Sequence, residues 1–183
     1  MVNVWSSGYT YSGRFRQIFP LPPVIAPEGR LLDWGCSYGR TSSDISFTYP
    51  ERMVLGVDID SFRIRLAKCT SLHGRLQFFA EDGFDFLRRG EKFGAIFALN
   101  NVLPGFIEGE PKPSDIRELG LLMRESLVSK GLLVVSAGKS HDDRQHHVFA
   151  YRQGKGLVLE PILEDVVENP DTSRLREFKE LFF

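Results

Sequence analysis

Cysteine is scarce in this chain: Cys36 and Cys69 are the only two in 183 residues. Two thiols cannot build the framework of a small disulfide-held secreted protein, so a reducing compartment is expected. Neither charge is in surplus, with 23 Lys and Arg against 24 Asp and Glu. A dedicated nucleic-acid binder needs excess cation to displace counterions from phosphate, and that class is disfavoured. Long apolar runs are missing as well; none approaches the roughly 20 residues that span a bilayer. The stretch Met1–Gly13 lacks the basic start and apolar centre of a secretory signal. Internal repeats and low-complexity tracts are absent too. The expectation is a cytoplasmic protein with no membrane partner.

What is present is an ordinary globular composition, 42% hydrophobic and 26% charged. A chain of this size can bury most of its apolar surface around one core without a metal or a staple. It reads as a single domain in three parts: an arm over 1–29, a core over 30–137 and a C-terminal part over 138–183. The arm interleaves Pro20, Pro22, Pro23 and Pro27 with Trp5, Tyr9, Tyr11, Phe15 and Phe19. Such a segment either closes as a flap over a pocket or simply anchors the terminus to the core.

After Gly29 the pattern becomes regular. Short apolar runs at Arg30–Asp33, Met53–Asp58, Leu76–Ala80, Phe93–Leu99 and Leu132–Ala137 read as strands. Between them, Tyr38–Phe47, Asp60–Ser71, Gly83–Arg89 and Asp115–Ser129 read as helices, the last stopped by Gly131. Strands alternating with helices imply right-handed β-α-β crossovers. The predicted fold is therefore a Rossmann-like α/β domain, a mostly parallel twisted sheet with helices on both faces. Ligands of such sheets bind at the carboxyl ends of the strands, where the strand order reverses. Asp33, Asp58, Asp82, Asn100 and Asn101 all fall at those ends.

The turn Asp33-Trp34-Gly35-Cys36-Ser37-Tyr38-Gly39-Arg40 carries the first chemical signal. Gly35 and Gly39 permit a sharp bend and close backbone approach. A helix start beside such a turn commonly receives an anion, but Asp33 would repel a pyrophosphate and attract an ammonium group. The spacing also fails the G-x-G-x-x-G dinucleotide pattern, which disfavours an NAD-dependent oxidoreductase. Asp58, about twenty residues further on, can accept both hydroxyls of a ribose. Ile59 can cover one face of a base, Asp82 can accept from an exocyclic amine, and Gly83 leaves its N–H open. An adenosine joined to an amino acid satisfies all of these, and S-adenosylmethionine is that ligand.

In these residues the sequence resembles the class I S-adenosylmethionine-dependent methyltransferases. The resemblance covers about residues 29 to 137 and rests on five motifs in order. They are Leu31–Arg40, Gly56-Val57-Asp58-Ile59-Asp60, Phe78–Asp82, Phe93–Leu103 and Lys130–Ser136. It implies that Gly35, with Cys36, Ser37 and Gly39 around it, receives the methionine part. By the same resemblance Asp58 holds the ribose and Asp82, beside Gly83, the adenine amine. The backbone at Leu99 and Asn100 would then face the methionine amine or the transferred methyl. Ser37 stands where many members have a further glycine, which is tolerated at negative φ.

Other residues have bland readings beside the functional ones. His141–His147 holds three of the four histidines, but a solvated loop accounts for it and no metal is expected. His141 is kept as a candidate general base, since the loop leaves the fifth strand on the ligand side. Asn100 and Asn101 could orient a nucleophile or cap a helix. The Asn-Pro-Pro-aromatic motif of amino-methylating DNA enzymes is absent, which disfavours a DNA base and leaves a small molecule as the expected acceptor. Arg63, Arg65 and Lys68 read as one solvated helix face, and Cys36 as a small residue rather than a nucleophile. A non-catalytic S-adenosylmethionine- or nucleoside-binding protein is the alternative to an enzyme.

The C-terminal part departs from the family, whose members usually place a helix between the fifth strand and the last two. About eight residues, Gly138–Gln145, cannot make a parallel crossover. An antiparallel hairpin of His147–Arg152 and Leu157–Ile162 around Gly154-Lys155-Gly156 is expected, followed by a helix over Ser173–Phe183. An open sheet edge beside Leu175, Phe178, Leu181, Phe182 and Phe183 would be an exposed apolar surface, and a homodimer, or docking to another protein, through this end is expected. Polar replacements of Phe178 and Phe182 are expected to release monomer with cofactor affinity intact. Light scattering that finds the unmodified protein monomeric at high micromolar concentration would contradict the dimer.

Overall fold

The computed structural model describes residues 28–70, 74–99, 112–137, 147–154 and 159–166, together with Glu180 and Phe182. Seven strands form one sheet in the order β3-β2-β1-β4-β5-β6-β7. They are β1 (Arg30–Trp34), β2 (Val54–Asp58), β3 (Leu76–Ala80), β4 (Phe93–Ala98), β5 (Leu127–Ala137), β6 (His147–Gln153) and β7 (Leu159–Val166). The first five run parallel, and β6 and β7 each pair antiparallel to the strand before. The order turns back between β1 and β4, which opens a crevice at their carboxyl ends. This is the Rossmann-like sheet read from the sequence, with the C-terminal hairpin in place.

Helices cover both faces. On one side α1 (Arg40–Thr48) and α2 (Ser61–Thr70) pack Ile45, Ile64 and Ala67 on Leu31, Val54, Phe78, Ala95 and Phe97. On the other, α3 (Gly83–Arg88) and α4 (Pro113–Glu125) bring Phe86, Leu87, Ile116, Leu119 and Met123 onto Leu32, Leu55, Val57 and Ile96. Every residue of β4 is buried, as a central parallel strand covered on both faces requires. Among the described residues no helix is long and apolar enough to cross a membrane.

Several boundaries differ from the sequence reading, chief among them the join of α4 and β5. The helix expected over Asp115–Ser129 ends at Glu125, and β5 begins at Leu127 rather than Leu132. The carbonyl of Ser126 accepts the N–H of Phe93 at 2.8 Å, and Leu127 is buried in the core beside Met123. These contacts draw the chain into the sheet before the helical periodicity runs out. Gly131 is therefore not a helix stop. It lies inside β5 next to Lys130 at φ 62, where the register against β4 jumps from Phe93↔Leu127 to Ala95↔Leu132. A Cβ on Gly131 would lie 2.7 Å from the Val128 carbonyl oxygen, so the bulge needs glycine. In the hairpin, β7 is Leu159–Val166 where Leu157–Ile162 was expected.

The apolar C-terminal end also needs correction. Of the expected Ser173–Phe183 helix, Glu180 and Phe182 are described, and Phe182 is only 1% exposed. It belongs to the core cluster with Leu119 and Met123, so it is no part of an open surface and cannot serve as a clean dimer probe. Its main chain rests on α4 where Gly120 leaves room; a Cβ there would come within 2.1 Å of the Phe182 carbonyl oxygen. Alanine gains about 1 kcal/mol over glycine in a helix interior. Forcing two packed segments apart costs about 1–3 kcal/mol. Overpacking is the larger effect, and Gly120→Ala is expected to lower the urea midpoint, a net loss of up to about 2 kcal/mol with the m value unchanged. A more stable variant would mean that the C-terminal end does not dock on α4.

Candidate functional site

The turn after β1 is bound tightly to β2. The N–H groups of Gly35 and Cys36 both donate to the Val57 carbonyl, at 2.8 and 3.0 Å. Gly39, at φ 75, donates to the Cys36 carbonyl at 2.9 Å and starts α1. This is why α1 begins at Arg40 and not at Tyr38. Ser37 sits at φ 50, so the expectation of a negative φ there is wrong. A left-handed serine costs about 1 kcal/mol, and its N–H finds a strong compensating acceptor in Asp58 Oδ2 at 2.8 Å. The Cys36 side chain points into the α1 and α2 core, 3% exposed. Burial, with Asp33 and Asp58 close by, pushes its thiol far above the ordinary range, which keeps it neutral and unreactive.

Asp33 lies within the buried run Leu31–Trp34 of β1, at 1% exposure. Its Oδ2 accepts the Ser42 hydroxyl at 2.6 Å across to α1. Burial pushes this carboxyl up to about 7; the Ser42 bond lowers it, while Asp58 and Asp44 raise it further. The sequence placed Asp33 at the site, but Ser42, fully buried, was missed. A serine one turn into a helix carries no signal by itself; only the sheet reveals that it faces a buried acid.

Asp58 is half-buried at the end of β2, with Oδ1 accepting the Asp60 N–H at 2.9 Å. One backbone donor on each oxygen orients the carboxylate and leaves two of its roughly four acceptor sites open. Ile59 beside it is 73% exposed, a large apolar side chain held in the open. Asp60 caps α2 through the N–H groups of Phe62 and Arg63, at 2.9 and 3.1 Å. Arg63 is not merely part of a solvated face, unlike the exposed Arg65 and Lys68. Its guanidinium pairs with Asp60 at 3.1 Å, reaches the Ser37 hydroxyl at 3.5 Å and lies 5.6 Å from the Tyr38 ring centre.

Asp82 follows β3 and caps α3, its Oδ1 accepting from Phe84 and Asp85 at 2.8 and 3.2 Å. Its other oxygen is the one an amine would use. Gly83 is required for packing: a Cβ there would lie 2.1 Å from the Trp34 indole nitrogen. That Nε1 is buried and has no partner among the described residues. Leu99 is buried just past β4. The structure thus gathers Asp33, Gly35, Ser37, Asp58, Ile59, Asp82, Gly83 and Leu99 along the carboxyl edge of β1 to β4. Asn100, Asn101, His141, the arm with Tyr9 and Tyr11, and most of the Leu103–Pro113 loop lie outside the described residues. Among the described residues, no three His, Cys, Asp or Glu side chains could hold a metal.

The donor set suits a positively charged, hydroxyl-bearing ligand. Backbone at positive φ can approach it closely, carboxylates can accept from it, and an exposed apolar side chain can cover a flat ring. The same geometry has a measurable effect on stability. A carboxyl raised from 3.8 to about 7 by folding is stabilising while protonated and becomes a penalty when it ionises. Its contribution is complete below about pH 4 and lost as pH rises to about 7. Measured against Asp33→Asn by urea unfolding, the ligand-free wild type should lose on the order of 2–4 kcal/mol between about pH 4 and pH 7.5. A difference that does not change with pH would mean that Asp33 is ionised throughout.

By sequence, neither a protein-family model nor a curated protein matches this chain. By structure it is similar to an S-adenosylmethionine-dependent methyltransferase from Archaeoglobus fulgidus, with a TM-score of 0.53 and 18% identity over 69% of this chain and 51% of that one. It is similar to the plantazolicin methyltransferase BpumL in complex with SAH, with a TM-score of 0.54 and 19% identity over 71% of this chain and 46% of the other. A putative O-methyltransferase from Nostoc punctiforme aligns with a TM-score of 0.55 and 18% identity over 68% of this chain and 36% of its own. The chain therefore spans about half or less of these structures. The chain has the fold of the class I S-adenosylmethionine-dependent methyltransferases.

Proposed function

We propose that this protein binds S-adenosylmethionine and transfers its methyl group to a nucleophile on a small molecule. The observation that carries the reading is Asp33: a carboxyl buried at the strand-order reversal, beside a glycine turn, and pushed up by that burial and by Asp58 and Asp44. In this reading the Gly35–Ser37 turn receives the amino-acid end and Asp58 accepts from the ribose hydroxyls. Ile59 covers the adenine, Asp82 accepts from its amine through the oxygen not used in capping, and Leu99 closes the floor. When bound, the cofactor supplies a methyl group already activated by a neutral thioether leaving group. What the chain must add is alignment and exclusion of water, so no strong acid or base is needed among these residues. Asn100, Asn101 and His141 are the candidates for orienting or deprotonating the acceptor. The aromatic arm and the loop before α4 are candidates for covering it.

A binding protein without turnover is the second reading, favoured by the direct succession of β5 and β6, where the family it resembles usually places a helix. Calorimetry with S-adenosylmethionine tests both readings, and mass spectrometry for a methylated product separates them. Asp58→Ala is expected to weaken binding by about 1.5–3 kcal/mol through two lost charge-assisted hydrogen bonds. Unchanged affinity would remove Asp58 from the ribose. His141→Ala, Asn100→Ala and Asn101→Ala should leave affinity intact and lower turnover wherever the residue acts on the acceptor.

A further inference from the structure

Ser37 and Lys130 are the described residues other than glycine at positive φ, and only Ser37 lies at the ligand edge. Its Cβ disfavours the left-handed conformation, yet its N–H is the donor that orients Asp58 Oδ2. Arg63, in the first turn of α2, restrains the same residue from a second element. The Arg63 Nε pairs with Asp60 Oδ2 at 3.1 Å, and Asp60 is fixed in turn as the cap of α2. With the guanidinium tied at that end, its Nη1 donates to the Ser37 hydroxyl at 3.5 Å, and its carbon lies 5.6 Å from the Tyr38 ring centre. The Asp60 N–H donates to Asp58 Oδ1. The contacts therefore close a ring, from Asp58 to Ser37 to Arg63 to Asp60 and back to Asp58.

We propose that Arg63 is a positioning residue for the ribose: by closing this ring it holds Ser37 in the left-handed conformation and so keeps Asp58 aimed at the ligand. The inference rests on Asp58 as the acceptor of the ribose hydroxyls. Arg63 acts through Ser37 and makes no contact with the ligand itself. A glycine at position 37 would adopt this φ without help. The serine makes the turn depend on Arg63, and its hydroxyl is the group through which Arg63 reaches it. A planar guanidinium suits the task, since it presents separate N–H groups to Asp60 and to Ser37 in one fixed geometry.

The test is a double-mutant cycle on the full chain, with Arg63→Met, Ser37→Gly and the two combined. The Arg63 side chain is 42% exposed and glycine relieves position 37, so these variants keep the fold. The readouts are S-adenosylhomocysteine affinity by calorimetry and, in the ligand-free protein, amide hydrogen exchange at position 37 by NMR. Arg63→Met should weaken affinity about fivefold, the equivalent of one net hydrogen bond, and speed exchange at Ser37 by a similar factor. In the Ser37→Gly background the same change should move either quantity by less than about twofold. Lys68→Met, which removes another cation of α2, should leave both unchanged. Equal losses of affinity in the two backgrounds would overturn the inference, because Arg63 would then act on the ligand directly. No loss in either background would overturn it too, as would the same loss from Lys68→Met, which would trace the effect to the charge of the helix. Failure of S-adenosylhomocysteine to bind the unmodified chain would instead reject the function proposed above, and exchange at position 37 would then decide whether Arg63 holds the turn.

Discussion

The close approach of the turn after β1 to β2 is the constraint on which the carboxyl edge of the sheet depends. Two consecutive N–H groups, of Gly35 and Cys36, share the Val57 carbonyl, and the next, of Ser37, goes to the Asp58 carboxylate. This leaves no room for side chains beneath. A Cβ on Gly56 would lie 2.6 Å from the Phe78 ring and 2.8 Å from Cys36 Sγ, and one on Gly39 would lie 2.6 Å from the same ring. Phe78 thus fills the space that two glycines vacate, and it holds β3 against both. Move the turn outward, and Asp58 loses the donor that orients it while Asp33 loses its cover.

That arrangement explains which parts of the molecule were legible in advance. Strands β1, β2 and β4 are short apolar runs buried on both faces, which leaves them no other solution, and β3 is an apolar run on the sheet edge with one buried side. The acids that end or follow them were equally visible, because a carboxylate after an apolar run has few structural uses. What could not be read was pairing across the sheet. Ser42 and Arg63 are ordinary helix residues until the fold brings them to Asp33 and Ser37. The end of α4 was misread for the opposite reason. Its periodicity continues past Glu125, but the Ser126 carbonyl and the Leu127 side chain are taken by the sheet. Tertiary burial outweighs local propensity there, as it does at Phe182.

The C-terminal hairpin follows from chain length rather than side-chain chemistry. Antiparallel strands can be joined by a short connection, whereas a parallel crossover needs a dozen residues or more. With nine residues between Ala137 and His147, β6 can return only antiparallel, and it does so over Leu132–Ala137. The five parallel strands and their carboxyl edge form without it. The hairpin lies on the far side of β5 from β1, so changes there need not disturb the turn that binds to β2.

Local rules are broken within a very short stretch. Leu31 and Leu32 are fully buried apolar residues in an unstrained strand. Within the next five positions the chain buries a carboxyl, leaves an indole N–H without a partner among the described residues, and holds a serine in the left-handed region. Each of these costs about 1–3 kcal/mol on its own. None is needed to build the sheet, since β2 and β4 achieve the same burial without such features. A fold selected for stability alone would place a valine where Asp33 stands and a glycine at Ser37. The three features share one place, the end of β1 and the turn after it at the reversal of strand order, and that is where the function proposed above seats the amino-acid end of the cofactor.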